Sequence, residues 1–366
     1  MTEKWKYQYW LRCIDGVGNK KRKKIVEYCG SAKEAYTLTK RQLMEIPGIN
    51  ETEAEAVVCS RQNFDLETEA EILKKTGMKM ITVEEEEFPK RLLQLSDCPY
   101  ALFYKGTLPS DQERTAAIVG ARMCSPYGKS IGLALGEALA AHGIGIVSGM
   151  AYGIDSFGHW GAVKGGGHTY AVLGCGADVC YPKGGWELYE KIQMSGGVLS
   201  EYLPQTKPIP QQFPARNRLI SAFSDIVILV EAKQKSGSLI TADFALEQGK
   251  DIYAVPGRVD DMLSAGCNGL IRQGAGIITG IDDFLLELGI GKEEIRQKKL
   301  KEREKIENAL EKDELMVYSC FDLAPKNMEE LVKMTKMPAS KLADLLTKLQ
   351  AKGIIEEYFK NHYRKK

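Results

Sequence analysis

The chain has 366 residues, with 50 basic and 49 acidic side chains, so any nucleic-acid affinity has to come from clustered charge rather than from a basic whole. Its 44% hydrophobic and 27% charged residues exclude a disordered chain, and its length calls for more than one domain. Nine scattered cysteines without a C-x-x-C pair fit reduced thiols in a cytoplasmic protein; the start MTEKWKYQYW lacks an apolar signal core, and no apolar run approaches the ~20 residues that span a bilayer, which argues against secretion and membrane insertion.

Residues 1–66 read as short helices punctuated by glycine: Gly16-Val17-Gly18 before Lys20 to Tyr28, then Cys29-Gly30-Ser31, then Ile46-Pro47-Gly48-Ile49. Leu11 to Val26 and Leu43 to Val58 each set a glycine turn before an amphipathic helix, the pattern of a helix-hairpin-helix or SAM-like module. Such turns offer amides to phosphate at a helix N-terminus, and a helical module for protein contacts reads equally well.

Residues 67–290 change in texture, with β-branched runs each followed by glycine and a helical stretch. The expected strands are Ala116 to Gly120, Gly145 to Gly149, Thr169 to Gly174, Ile226 to Val230, Ile252 to Pro256 and Gly276 to Thr279. Being apolar at nearly every position, they suit a parallel sheet covered on both faces by helices such as Lys129 to Ala141 and Thr241 to Gln248. The fold class is therefore α/β, an extended Rossmann-like, doubly wound, mainly parallel sheet. Residues 291–308 are almost entirely charged and read as a linker. Residues 309–366 have the helix, turn, helix and ribbon pattern of a winged helix ending in Arg364-Lys365-Lys366, suited to DNA or to a protein partner.

Three glycine- and serine-bearing turns fall at strand ends. Gly120-Ala121-Arg122 leads into Ser125-Pro126-Tyr127-Gly128 without G-x-G-x-x-G and without an acidic residue to hold a ribose, which disfavours a dinucleotide. Arg122 is then placed to grip a phosphate. Ser148-Gly149-Met150-Ala151-Tyr152-Gly153-Ile154-Asp155 supplies a hydroxyl and amides, with Asp155 in the first turn of a helix as a cap. His159 follows one turn later without an evident nucleophile and reads as structural. Ser236-Gly237-Ser238 forms the third turn, and convergence at strand C-termini is where open α/β sheets place ligands.

Phe213-Pro214-Ala215-Arg216-Asn217-Arg218 follows a proline-rich loop. An exposed aromatic delivered to a helix start beside arginines combines a stacking platform with phosphate forks, the requirement of single-strand binding. Arg216, Asn217 and Arg218 join the candidate site with Gly120, Arg122, Ser148, Gly149, Gly153, Phe213, Ser236, Gly237 and Ser238.

In order along the chain, Ala117 to Arg122, Ser148 to Asp155, Ser200-Glu201-Tyr202, Phe213 to Arg218 and Ser236 to Ala242 closely resemble the motifs of the DprA/Smf family of DNA-processing proteins. That resemblance covers about residues 80–290. It implies a Rossmann-like protein, without cofactor or metal, that binds single-stranded DNA in a positive pocket, dimerises, protects incoming strands and loads the RecA recombinase in natural transformation. Single-strand-binding protein is a further candidate partner. Arg122 would grip phosphate and Phe213 would stack a base, while Arg216 and Arg218 match the family's R-N-R segment, a likeness that fits either DNA contacts or buttresses of the pocket. The chain departs from the family in Ala121, where serine is common, and in Gly185, where asparagine often follows Tyr181-Pro182. It also carries Pro210-Gln211-Gln212 just before Phe213, leaving Lys207 as the nearest cation and a candidate DNA contact.

Two other readings compete. Related nucleotide phosphoribohydrolases place a glutamate three residues after a threonine in a glycine-rich turn, and Phe244 stands at that position here. A duplex-DNA regulator would act through the winged helix instead.

Overall fold

The computed structural model describes residues 4–291, 310–321 and 325–365, with the single positions 297 and 306. The charged stretch 291–308 thus falls almost wholly outside the described residues. The chain separates into two units, Met1–Phe284 and Leu285–Lys366. No described helix is long and apolar enough to cross a membrane.

The first unit opens with six helices: α1 (Lys4–Cys13), α2 (Asn19–Cys29), α3 (Ala32–Ala35), α4 (Lys40–Met44), α5 (Glu51–Asn63) and α6 (Leu66–Lys75). Their sequence dictates their ends. Thr39 with Gln42, and Asn50 with Glu53, form reciprocal capping boxes that satisfy the first amides of α4 and α5. Trp10, Leu11 and Ile14 turn inward onto Ile25, Leu43 and Val57. Trp5 and Tyr9, from the same helix α1, pack instead into a cluster with Phe103 and Val198 of the sheet, the Tyr9 ring meeting Phe103 edge-on at 6.1 Å. The helices are therefore fastened to the sheet through buried aromatic area.

The sheet elements follow as β1 (Lys79–Thr82), α7 (Lys90–Leu93), β2 (Ala101–Gly106), β3 (Thr115–Val119), α8 (Pro126–Ala141), β4 (Gly145–Ser148), α9 (Ile154–Lys164), β5 (Thr169–Val172), α10 (Trp186–Ser195), β6 (Gly196–Ser200), α11 (Gln212–Ala222), β7 (Ile226–Leu229), α12 (Gly237–Glu247), β8 (Asp251–Ala254), α13 (Ala265–Arg272), β9 (Gly276–Ile277) and α14 (Ile281–Glu287). The nine strands order as β1-β2-β6-β5-β4-β3-β7-β8-β9. From β6 to β9 neighbours are parallel, whereas β1 pairs with β2 and β2 with β6 antiparallel. All six expected strands form. β1, β2 and β6 are additions to the sequence reading; β6 begins with Gly196-Gly197, which weakens any strand signal. The order in which strands are added reverses between the parallel neighbours β3 and β7, so the switch point, where such sheets open a crevice at their carboxyl edge, lies between the turns after Val119 and after Leu229.

The second unit holds helices Lys312–Ser319, Met328–Thr335 and Ala339–Ala351 with β10 (Lys326–Asn327), β11 (Ile355–Phe359) and β12 (His362–Lys365), paired antiparallel in the order β10-β12-β11. Leu331, Leu342, Leu346 and Leu349 form its separate core with Val317 and Ile355.

Candidate nucleic-acid interface

Every expected turn lies at the carboxyl edge of the sheet, after β3, β4 and β7. What fills those turns differs from the expectation. Asp155, buried in the first turn of α9, accepts a hydrogen bond from the Gly149 amide at 3.1 Å, and the amides of Ala151 and Gly120 also bond its carboxylate. Burial pushes its carboxyl above the usual carboxylate range, against the pull of Arg216 and of those amides. Glu231, buried after β7, accepts from the Ser125 amide at 2.8 Å and from the Ser125 hydroxyl at the start of α8. Internal carboxylates thus occupy amides that the sequence offered to phosphate, and Gly120 and Gly149 are corrected from ligand donors to supports of Asp155.

Ser148 is corrected likewise, since its buried hydroxyl donates to the Ile118 carbonyl at 2.6 Å. Gly153 has φ +78°, and a Cβ there would stand 2.2 Å from the Ala121 carbonyl oxygen. It lets the β4–α9 turn press against the backbone that carries Arg122.

The R-N-R segment also divides. Arg216 is buried and donates to the Val172 carbonyl, and its guanidinium fills the space where a Gly149 side chain would be. Burial lowers its pKa to about 10. Arg218, equally buried, forks onto Glu201 at 2.8 and 2.7 Å. Both arginines are buttresses, not surface forks. Asn217 donates to the Gly237 carbonyl at 3.2 Å and ties α11 to the start of α12. There Ser236 and Ser238 bond one another at 2.8 Å around the exposed Gly237, leaving the third turn open on its outer side.

Phe213 is half-buried rather than exposed. One side rests against Gly174 at the end of β5, where a Cβ would meet the ring at 2.9 Å, and Tyr181 lies at 5.3 Å between centroids. The exposed Arg122 guanidinium sits 5.6 Å from the ring centre. Lys207 is exposed, one residue past Thr206, whose carbonyl accepts from Gly176 in the β5 loop. The structure therefore brings Arg122 and Phe213 together and leaves them accessible.

Exposed aromatics missed by the sequence reading extend from this pair through Tyr181. Tyr181, Tyr152 and Trp186 are exposed, and the Tyr152 hydroxyl lies over Gly184, in the turn between Tyr181 and Trp186. Tyr181-Pro182 was noted only as a motif. His159 is buried with Nδ1 2.6 Å from the Thr169 hydroxyl, the structural role expected of it.

A family model described as DNA recombination-mediator protein A matches residues 79–289. The DNA processing protein DprA of Streptococcus pneumoniae is 44% identical over 201 residues, spanning 55% of this chain and 71% of that protein. Protein Smf of Synechocystis is 32% identical over 287 residues, 77% of this chain and 72% of that protein. Among solved structures, that of the S. pneumoniae protein superposes with a TM-score of 0.68 at 34% identity, covering 77% of this chain and 97% of that one. The Helicobacter pylori DNA processing protein A, whose structure describes its single-stranded DNA binding mode, gives 0.53 at 33% identity over 58% of this chain and 95% of that one.

Proposed function

Since this chain belongs to the DNA recombination-mediator protein A family, we propose that it binds single-stranded DNA at the carboxyl edge of its sheet and passes the strand to a RecA-type recombinase. The observation that carries the binding reading is the exposed Arg122 guanidinium over the half-buried Phe213 ring. A cation beside a ring is the minimal unit for gripping one phosphate and stacking the adjacent base, with no demand on base identity. Tyr181 and Tyr152 extend the aromatic surface, and the open Ser236-Gly237-Ser238 turn supplies a further phosphate contact.

Binding without catalysis is favoured by what surrounds the titratable groups. Asp155 is wrapped in amides and Glu231 caps α8, so both are committed to holding turns. In this reading the protein acts in the cytoplasm as a dimer, and the second unit is a winged-helix module.

Gel shifts with oligo-dT and with a duplex of equal length test the reading. The parent chain should retain the single strand preferentially, and Arg122→Ala and Phe213→Ala should each retain it more weakly. Equal binding of oligo-dT by the parent and both variants would overturn the placement.

A further inference from the structure

A second polar cleft, on the other side of α11 from Phe213, has a volume of about 800 Å3 and lies between the Gly16-Val17-Gly18 turn and the sheet unit's helices. Its walls carry five cations, Arg12, Arg22, Arg91, Arg218 and Lys250, against three carboxylates, Asp97, Glu201 and Glu247. Glu201 is committed to Arg218 in a two-pronged pair. Arg12 donates to the Glu201 backbone carbonyl at 2.6 Å, and the buried Arg22 donates to the carbonyls of Leu11 and Ile14 at 2.9 and 2.7 Å. Among the described residues neither of these two guanidiniums forms an ion pair. The buried Arg22, hydrogen-bonded only to neutral oxygens, retains most of its desolvation cost, which an anion in the cleft would offset.

Two further observations point to the same occupant. The Nε of Arg218, a buried side chain lining the cleft, has no hydrogen-bond partner. Gly18, also in the wall, caps α2 without a side-chain bond, and the first turn of α2 holds no acidic residue. The N-terminal end of an eleven-residue helix therefore faces the cleft without a side-chain cap, and the carboxylate that reaches it, Glu201, accepts from the Asn19 side chain at 3.4 Å while committed to Arg218. This contrasts with α8 and α9, where Glu231 and Asp155 supply the carboxylate from within. Burial lowers Arg22 to about 10, with Arg12 adding to the shift, so the two cations also repel one another.

We propose that this cleft is a second anion site that takes a phosphate ester, seated on the Gly18 end of α2 between Arg12, Arg22 and Arg218. Its volume suits a nucleotide, and Tyr202 and Phe244 give it aromatic walls. A phosphate ester reaches it either as a free nucleotide or as a phosphodiester of a bound strand. The site stands on its own residues and survives if Arg122 and Phe213 prove to bind nothing.

Gly18→Asp tests the proposal in the full chain. The extended backbone at Gly18 (φ −75°, ψ 167°) suits an aspartate cap, and nothing lies within 4 Å of a Cβ there. The variant should therefore melt no lower than the parent while its carboxylate repels phosphate. Two readouts are taken in an Arg122→Ala background. The first is the rise in Tm with inorganic phosphate or dTMP at fixed ionic strength; the second is affinity for a long oligo-dT. Loss of the Tm rise on adding Gly18→Asp assigns the site to a free nucleotide. A drop of about tenfold in oligo-dT affinity, the size of one lost charged contact, assigns it to the strand's phosphodiester. The proposal is overturned if Gly18→Asp changes neither readout. Lys250→Gln, which removes a cation from the opposite wall, should weaken the same readout several-fold.

Discussion

The Arg122 guanidinium lies 5.6 Å from the centre of the Phe213 ring, joining the turn after β3 to the first turn of α11. The contact holds the arginine against the half-buried ring, so charge and aromatic surface meet a strand at one place. The two substitutions should therefore fail differently. Arg122→Ala should flatten the log–log dependence of oligo-dT affinity on salt by about 0.7, the share of one phosphate contact on a single strand. Phe213→Ala should cost about 1–3 kcal/mol with the slope unchanged. Because the groups touch, the double variant should lose less than the sum of the two. Fluorescence titrations at several salt concentrations measure all three quantities, and an unaltered slope in Arg122→Ala would remove the phosphate role.

The second unit should contribute little to single-strand affinity. Three of its basic side chains are engaged at home: Lys341 pairs with Asp313 at 2.5 Å, Lys352 with Glu314 at 2.6 Å and Arg364 with Glu356 at 2.5 Å. A chain ending at residue 290 should hold oligo-dT about as tightly as the full chain, whereas Arg122→Ala should not. The truncation must keep the N-terminal helices, because Trp5 and Tyr9 are buried against the sheet and a fragment starting at residue 80 would expose their partners. A larger loss on truncation than on Arg122→Ala would move the site to the second unit.

The sheet was legible because parallel strands buried on both faces are apolar at every position, and Ile118, Val147 and Ile228 announce themselves. Its antiparallel edge was less so, since β6 starts on two glycines. The site was legible as a set of turns but not as a set of contacts. Glycine, serine and arginine at strand ends read the same whether their hydrogen bonds go to a ligand or to the protein. Only the tertiary arrangement brings Asp155 to the Gly149 amide and Glu231 to Ser125. The same ambiguity made Arg216 and Arg218 look like phosphate forks, because a helix start with Pro214 in its first turn gives no clue that both arginines face inward.

Arg218 and Glu201 form a buried pair with both oxygens engaged. Arg218→Met alone should destabilise by about 3–5 kcal/mol, because it strands the Glu201 charge. Arg218→Met combined with Glu201→Leu should recover much of that loss, since neither charge is then left unpaired. Urea midpoints of the two variants decide the matter. If the double variant is no more stable than the single one, the pair is not the source of the cost.

His159 gives the chain an acid-sensitive element. The ring is fully buried on α9, with Nδ1 at the Thr169 hydroxyl and Nε2 without a partner, and burial lowers its pKa from 6.5 to about 3, with Arg216 adding to the shift. A proton therefore binds the unfolded chain more readily than the folded one between those two values. Stability is complete above pH 6.5 and falls as the pH drops toward 3, by up to about 1.4 kcal/mol for each pH unit within that window. His159→Gln keeps a polar group facing Thr169 but cannot titrate. Its stability at pH 7 should be offset from the parent by a fixed repacking cost. Below pH 6.5 the two curves should converge, because only the parent continues to lose the histidine term. Urea midpoints taken from pH 7.5 to pH 4 trace this difference. Parallel curves across the whole range would show that His159 is protonated equally in both states and carries none of the acid sensitivity.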